Sequence, residues 1–100
     1  MKLMTKELFE NLPPLYSTDD VPLLEKEAVI KFFTPDASWT WYVVEGQQEE
    51  DNVVFFGYVE GLEHEWGYFD LKQLETVRGP LNLPVERDIY FGKKKMKEIL

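Results

Sequence analysis

Cysteine is absent from this 100-residue sequence, and histidine occurs only once. The lack of cysteine excludes disulfide bonds, a thiolate nucleophile and cysteine-based metal sites, and it fits a reducing compartment. No run of about 18 apolar residues occurs, and the first six residues lack the apolar core of a signal peptide. We therefore expect a cytoplasmic protein without a membrane span.

Catalytic motifs are missing as well. The single histidine, His64, lies between Glu63 and Glu65, where it could act as a general base or as one metal ligand. The sequence offers it no second histidine and no cysteine, and it contains no zinc-protease motif, nucleophile elbow or glycine-rich phosphate loop. We therefore expect an exposed turn at His64, no metal, no cofactor and no catalytic residues.

Positive charge is scarce and unevenly placed. The net charge is −8, and because residues 93–100 carry four lysines and one glutamate, residues 1–92 carry −11. A surface this acidic repels phosphate backbones, which disfavours direct binding of nucleic acid. The lysine-rich end is typical of a solvated tail or of the last turn of a helix.

Aromatic and β-branched residues dominate the middle of the chain. They form four runs, at residues 28–33, 39–44, 53–59 and 66–69, and such residues pack well on a pleated sheet. The connections are too short for a crossover helix, so the pattern predicts an antiparallel meander over residues 28–69. With 44% apolar residues the chain can bury one core, which indicates a single domain over residues 1–100, taken as a monomer.

Short helices are predicted on either side of the meander. Thr5 is a candidate N-cap for a helix near residues 5–12, and Asp70 with Gln73 is typical of the start of a helix over residues 70–78. The predicted fold class is therefore α+β, a four-stranded antiparallel meander with two short helices packed on it.

The remaining segments are expected to be extended or irregular. Residues 13–27 contain three prolines and predict a loop pinned to the core by Tyr16 and by Leu23 or Leu24. Residues 88–91 are a candidate fifth strand at the edge of the sheet. Just before them, alternation predicts an extended segment packed by one side through Leu81, Leu83 and Val85.

Two details of the meander follow from composition. Residues 45–52 hold four carboxylates and predict a mobile, solvated hairpin tip. Gly57 lies within a strand, where a close neighbour is expected, and we assign that role to Trp39 or Trp41.

The predicted strands are apolar on both faces, so something must cover the second face. If the two helices and the loop cover it only in part, a strip of Trp and Tyr remains at the surface as a binding platform. The candidate binding residues are Tyr16, Trp39, Trp41, Tyr42 and Tyr58. The alternative is that the termini wrap the sheet completely.

The only two arginines, Arg78 and Arg87, bracket the extended segment. Arginine suits bidentate capture of a carboxylate or phosphate, so the pair is a candidate anion site. The alternative, which we favour, is that ion pairs with nearby carboxylates tie the loop to the helix.

Several runs, in order, resemble the small bacterial family catalogued as domain of unknown function 2958. They are Leu12-Pro-Pro-Leu-Tyr-Ser-Thr18, Lys31-Phe-Phe-Thr-Pro-Asp36, Ser38-Trp-Thr-Trp-Tyr42, Phe55-Phe-Gly57, Gly67-Tyr-Phe69, Val77-Arg-Gly-Pro-Leu81 and Leu83-Pro-Val-Glu-Arg-Asp-Ile-Tyr-Phe91. The resemblance implies a short cytoplasmic protein of the kind carried on plasmids and other mobile elements. It implies no established activity and no catalytic residues.

We expect a non-enzymatic interaction module that presents the aromatic strip, with an acidic surround, to a basic or mixed protein partner. One alternative is an acidic mimic of DNA that occupies a DNA-binding protein, as antirestriction proteins do. The other is a small-anion or nucleotide-binding enzyme that uses Arg78 and Arg87, with Tyr90, Asp88 or Glu86 as acid or base.

Overall fold

Seven strands and three short helices follow one another in a computed structural model that describes all 100 residues. The helices are α1 (Lys6–Glu10), α2 (Leu71–Thr76) and α3 (Met96–Ile99), and a single 3-10 turn spans Leu23–Glu25. The strands are β1 (Glu27–Ala28), β2 (Ile30–Phe33), β3 (Thr40–Glu49), β4 (Asn52–Glu60), β5 (His64–Asp70), β6 (Glu86–Arg87) and β7 (Lys94–Lys95). The predicted α+β class is confirmed. No helix is long and apolar enough to cross a bilayer.

Five of the strands form one antiparallel sheet in the order β5-β4-β3-β2-β6. The meander is therefore confirmed, but the fifth strand comes two residues before the predicted segment 88–91. Its pairing with β2 continues for one more bond, from the Asp88 N–H to the Lys31 carbonyl at 2.9 Å, before the chain turns away. A second sheet of β1 and β7 was not predicted.

One face of the main sheet, called here the first face, carries the larger core. Its strands contribute Ile30, Phe32, Trp41, Val43, Val53, Phe55 and Phe69, all buried. Helices α1 and α2 cover this face through Leu8, Phe9, Leu71 and Leu74. The opposite face, the second face, is covered only near β3 and β1, where Met96 of α3 packs on Ala28, Tyr42 and Val44.

Both predicted helix caps are present. The Thr5 hydroxyl accepts a hydrogen bond from the Leu8 N–H at 3.2 Å, and an Asp70 carboxylate oxygen accepts one from the Gln73 N–H at 2.7 Å. Each helix ends two residues earlier than predicted, and the C-cap residues Asn11 and Val77 already have non-helical backbone angles.

Some residues predicted to anchor the loops are exposed. Tyr16, Leu23 and Leu24 are exposed, and the Pro-rich loop is held instead by buried Leu15 and Lys26. The loop after α2 likewise exposes Leu81 and Leu83 and buries only Val85. Its anchor is polar, since the Asp36 carboxylate accepts the Leu81 N–H at 2.7 Å, so the backbone faces inward and the leucines face out.

The lysine-rich end is not a solvated tail. Strand β7 pairs with β1, and the next residue, Met96, is fully buried. Lys95 and Lys97 both bind the Glu25 carboxylate, at 3.1 and 2.9 Å. These contacts hold the C-terminal segment against the loop that precedes β1.

The hairpin between β3 and β4 is longer and tighter than predicted. Pairing continues to Glu49 and Asn52, so the turn consists of Glu50 and Asp51 alone. Glu50 takes a positive φ of 56°, and Asp51 binds the Lys72 ammonium at 2.6 Å. Glu45, assigned to the solvated tip, is buried within β3.

Gly57 does have a close neighbour, but it is backbone and not a tryptophan. A Cβ at this position would lie 1.8 Å from the Tyr42 carbonyl oxygen, whereas a Cβ at its cross-strand partner Gly67 would meet nothing within 4 Å. The glycine that accommodates Trp39 is Gly61, whose Cβ would come within 2.2 Å of the indole ring.

The Gly57/Gly67 pair gives a matched test of the packing of β4. We expect Gly57→Ala to lower the free energy of unfolding by about 3 kcal/mol, because β3 must move away from the new methyl group. Gly67→Ala should change it by less than about 0.5 kcal/mol. Urea unfolding of both variants measures the difference, and equal effects would contradict the close approach of β3 to Gly57.

The contacts of Glu25 predict a pH-dependent contribution to stability. Hydrogen bonds from Lys97 and Lys95 lower the pKa of Glu25 below its ordinary value of 4.5. A carboxyl whose folded pKa is depressed stabilises the fold above its unfolded pKa, and this contribution is lost as the pH falls through the folded value. Glu25→Gln should therefore lower the Tm at pH 7 and leave it nearly unchanged at pH 2.5.

The control for this prediction is Glu10→Gln, since Glu10 is exposed on α1 and makes no ion pair. Its Tm should follow that of the wild type at both pH values. A Glu25→Gln variant with the same Tm deficit at pH 2.5 as at pH 7 would mean that the carboxylate charge does not hold the C-terminal segment.

Candidate functional site

The second face carries a continuous row of aromatic rings over β4 and β5. Phe56 lies 6.0 Å from Trp66 and 5.0 Å from Tyr68, and Tyr58 lies 5.4 Å from Trp66, all measured between ring centroids. The loop that follows Pro14 brings Tyr16 beside Tyr68. These rings are called here the aromatic ladder: Tyr16, Phe56, Tyr58, Trp66 and Tyr68.

Strand geometry explains why these rings share a face. Side chains alternate along a strand, and the antiparallel register sets Phe56 opposite Tyr68 and Tyr58 opposite Trp66. Strand β5 is an edge of the main sheet, so the ladder ends at an edge with no further strand beside it.

The ladder is partly open to solvent. Tyr16 is 62% exposed and Tyr68 57%, while Phe56, Tyr58 and Trp66 are of intermediate burial. Tyr58 and Trp66, at one end of the ladder, pack against the buried cluster that includes Met96 of α3. Helix α3 thus reaches one end of the ladder and leaves Tyr68 and Tyr16 at the other end uncovered.

The five residues predicted for the aromatic strip do not lie together. Trp39 and Trp41 stack on each other on the first face, with centroids 5.8 Å apart, and Trp41 is only 5% exposed. Tyr42 is on the second face but is buried against Met96. Tyr16 and Tyr58 belong to the ladder.

Sequence reasoning missed Phe56, Trp66 and Tyr68. Their alternation within the runs 53–59 and 66–69 was visible, and it places all three on the face of Tyr58 once the strands are paired. The register of β4 against β5 was the missing information, because a shift of one residue would reverse the faces.

A β-bulge in β3 places a carboxylate beneath the loop that carries Tyr16. The register shifts between Val43 and Glu45, so Val44 is an extra residue, and both it and Glu45 lie on the second face. Glu45 therefore stands opposite Phe56, in line with the ladder. Without the bulge its side chain would enter the core of the first face.

Glu45 binds the loop through a buried polar network. Its carboxylate accepts the N–H groups of Tyr16 at 2.9 Å and Thr18 at 3.0 Å, and also the Thr18 hydroxyl. The Lys26 ammonium donates to that hydroxyl oxygen at 2.9 Å and to the Thr18 carbonyl, and it lies 4.0 Å from Glu45. The side chains of Lys26 and Glu45 are 5% and 3% exposed.

Tyr16 is held in an unusual backbone conformation by this network. Its φ is 70°, in the left-handed region that bulky residues avoid. The hydrogen bond from its N–H to Glu45 fixes the turn, and the phenol is thereby directed to Tyr68. Desolvation raises the pKa of the Tyr68 phenol, and the Tyr16 hydroxyl beside it adds to the shift.

The other titratable groups near the second face are arranged around the ladder. Burial raises the pKa of Tyr42, and Glu60 raises it further. His64 is exposed at the start of β5, where its ring contacts Tyr58 and its Nδ1 lies 3.9 Å from Glu60. No group of three His, Asp or Glu side chains comes together as potential metal ligands.

The two arginines are separated and bind backbone carbonyls in place of carboxylates. Arg78 Nη1 donates to the carbonyls of Glu75 and Val77, at 2.9 and 2.8 Å. Arg87 Nη1 donates to those of Lys2 and Leu3, at 2.9 and 2.8 Å. No surface hollow is lined by both arginines.

The buried network predicts an effect of Lys26 on stability. Lys26→Met leaves the Glu45 carboxylate buried without its cation, so we expect the free energy of unfolding to fall by about 3–5 kcal/mol. Adding Glu45→Gln, which removes the unpaired charge, should recover part of the loss. Denaturant unfolding measures both variants.

The control is Lys72→Met, which removes an exposed ion pair with Asp51. Exposed ion pairs contribute little to stability, so the free energy of unfolding of this variant should stay close to that of the wild type. A Lys26→Met variant as stable as Lys72→Met would show that the loop is held by other contacts.

Comparison with known proteins identifies the family of this chain. No curated protein and no solved structure matches the chain. The family described as "Protein of unknown function (DUF2958)" matches residues 3–98, which is nearly the whole chain. The chain belongs to this family.

Proposed function

We propose that this protein is a non-enzymatic interaction module whose aromatic ladder binds a lysine- or arginine-bearing segment of another protein. The observation that supports the proposal is the row of four contacting aromatic rings, with the Tyr16 hydroxyl beside Tyr68, that no helix covers completely. Tyrosine and tryptophan dominate the energetics of protein interfaces, because they bury a large area at a low cost in conformational entropy.

The form of the surface favours an extended segment. The ladder runs across two neighbouring strands and stops at the edge strand β5, so its long dimension lies along the surface of the sheet. The polar network beneath Tyr16 keeps one end of the ladder in place. A partner would therefore meet a surface that is already ordered, and a small loss of entropy favours binding.

Charge favours a basic partner. The protein carries −8, and Asp19 and Glu45 are near enough to Tyr68 to raise its pKa further. Glu60 lies at the His64 end of the ladder. Ammonium and guanidinium groups bind the faces of Tyr and Trp within about 6 Å of the ring centre, and surrounding carboxylates steer them there.

The proposal predicts the effect of removing one exposed ring. Tyr68→Ala should weaken binding of a partner at least ten-fold, which corresponds to about 1.4 kcal/mol, because Tyr68 is an exposed ring in contact with Phe56. Proteins retained by the immobilised chain can be identified by mass spectrometry, and the affinity of each can then be measured by calorimetry at low and high salt.

The matched control is Tyr90→Ala. Tyr90 is 91% exposed and stands outside the ladder, so its loss should leave binding unchanged. Binding should also weaken as salt rises, since opposite charges are expected across the interface. If Tyr68→Ala and Tyr90→Ala retained every partner equally, the ladder would not be the binding surface.

A further inference from the structure

A separate hollow lies on the other side of the molecule, between the C-terminal end of α2 and the start of β3. Its volume is about 390 Å³, within the range of small-molecule sites. It is lined by Trp39 and Trp41, by Ala37 in the turn before them, and by Gln73, Arg78 and Pro80. It shares no residue with the aromatic ladder, and we call it the tryptophan hollow.

Several contacts hold the aromatic wall of the tryptophan hollow in place. Trp39 and Trp41 are stacked with an angle of 27° between their planes. The backbone N–H of Trp39 donates a hydrogen bond to the Thr34 hydroxyl oxygen at 3.0 Å. The same hydroxyl lies 3.3 Å from the Trp39 carbonyl oxygen. The Trp39 ring also rests on Gly61, where a Cβ would overlap it. A planar ligand would therefore meet a preformed aromatic surface.

The charge in the tryptophan hollow is opposite to that of the protein. Arg78 is the only charged residue that lines it, in a chain whose net charge is −8. No carboxylate lies within 4.0 Å of the guanidinium. Two carbonyls engage Nη1, so the guanidinium is held in place while Nε and Nη2 have no partner in the chain. Those two nitrogens form a bidentate site for a carboxylate.

The surrounding field selects against ligands of higher charge. The Asp36 carboxylate is packed against Gly79, next to Arg78 along the chain, and one of its oxygens is buried without a hydrogen bond. Together with the net charge of −8, it disfavours a dianion such as a phosphate monoester. A single negative charge is neutralised by Arg78 alone.

We propose that the tryptophan hollow binds a planar aromatic or heteroaromatic monoanion, in chemical class an arenecarboxylate. The ring packs against the Trp39 and Trp41 indoles that line the hollow, and the carboxylate forms two hydrogen bonds with Nε and Nη2 of Arg78. This site is independent of the proposed protein-binding surface, so either can fail without the other.

Indole-3-carboxylate is a suitable probe. Added to the ¹⁵N-labelled protein, it should produce saturable shifts in the amide resonances of residues 77–79 and in the indole N–H resonances of Trp39 and Trp41. Indole lacks the charge and acetate lacks the ring, so each should bind at least ten-fold more weakly. Tighter binding of adenosine monophosphate, a dianion, would overturn the assignment of the ligand class.

Arg78→Gln and Arg87→Gln form a matched pair, because both arginines bind two carbonyls but only Arg78 lines the hollow. Arg78→Gln should weaken binding of the probe at least ten-fold, and Arg87→Gln should change it less than two-fold. Equal weakening by both variants would mean that the probe responds only to overall charge, which would overturn the proposal.

A third variant does not depend on the stability of the Arg78 turn. Ala37 is exposed at the rim of the hollow, so Ala37→Phe should fold normally and fill the space over Trp39. The amide spectrum checks the fold, and the probe should no longer bind. Unchanged binding to Ala37→Phe, or no saturable shift in the wild type at millimolar probe, would overturn the proposal.

Discussion

The extra residue in β3 is the constraint on which the arrangement of the second face depends. Because Val44 is inserted into the register, Glu45 points away from the larger core and toward the loop. A buried carboxylate requires partners, and the loop supplies two N–H groups, a hydroxyl and, through Thr18, the Lys26 ammonium. The position of the Pro-rich loop thus follows from a single irregularity in the sheet.

The two faces of the sheet are covered by different means. The first face is sealed by apolar side chains from two capped helices, and its core is continuous. The second face has the four-residue helix α3, the strand β7 with Phe91 before it, and a loop held by polar contacts. These elements are too short to extend across the five-stranded sheet, so the rings on β4 and β5 stay partly exposed. On the second face, helix α3 and the Pro-rich loop are both attached near Lys26, whose carbonyl accepts a hydrogen bond from the Met96 N–H at 2.8 Å.

The local features of this fold could be predicted from the sequence. The caps at Thr5 and Asp70, the four runs of strand-forming residues and the short connections each depend on neighbours along the chain. Alternation correctly placed Trp41 on β3 and Trp39, just before β3, on one face, since the two residues are two positions apart.

The features that could not be predicted depend on pairing between distant segments. Whether Trp41 is buried depends on the helices above it, and whether Tyr68 joins Tyr58 depends on the register of two strands. The bulge at Val44 cannot be recognised in the sequence, because the apolar run continues through it and the change of face is defined by the pairing of Glu45 with Phe56. Nothing in the lysine-rich run indicated that Lys95 and Lys97 would bind Glu25, about 70 residues earlier in the chain.

The free edge of β5 has a consequence for how molecules of this protein meet one another. An edge strand presents unpaired N–H and C=O groups, and a second copy could in principle continue the sheet from there. Two such copies would bring together the carboxylates of Glu65 and Asp70 on each chain, and each chain carries −8 overall. Like charges at close range oppose that association. The same acidity that would attract a basic segment therefore also disfavours pairing of β5 with the β5 strand of a second copy.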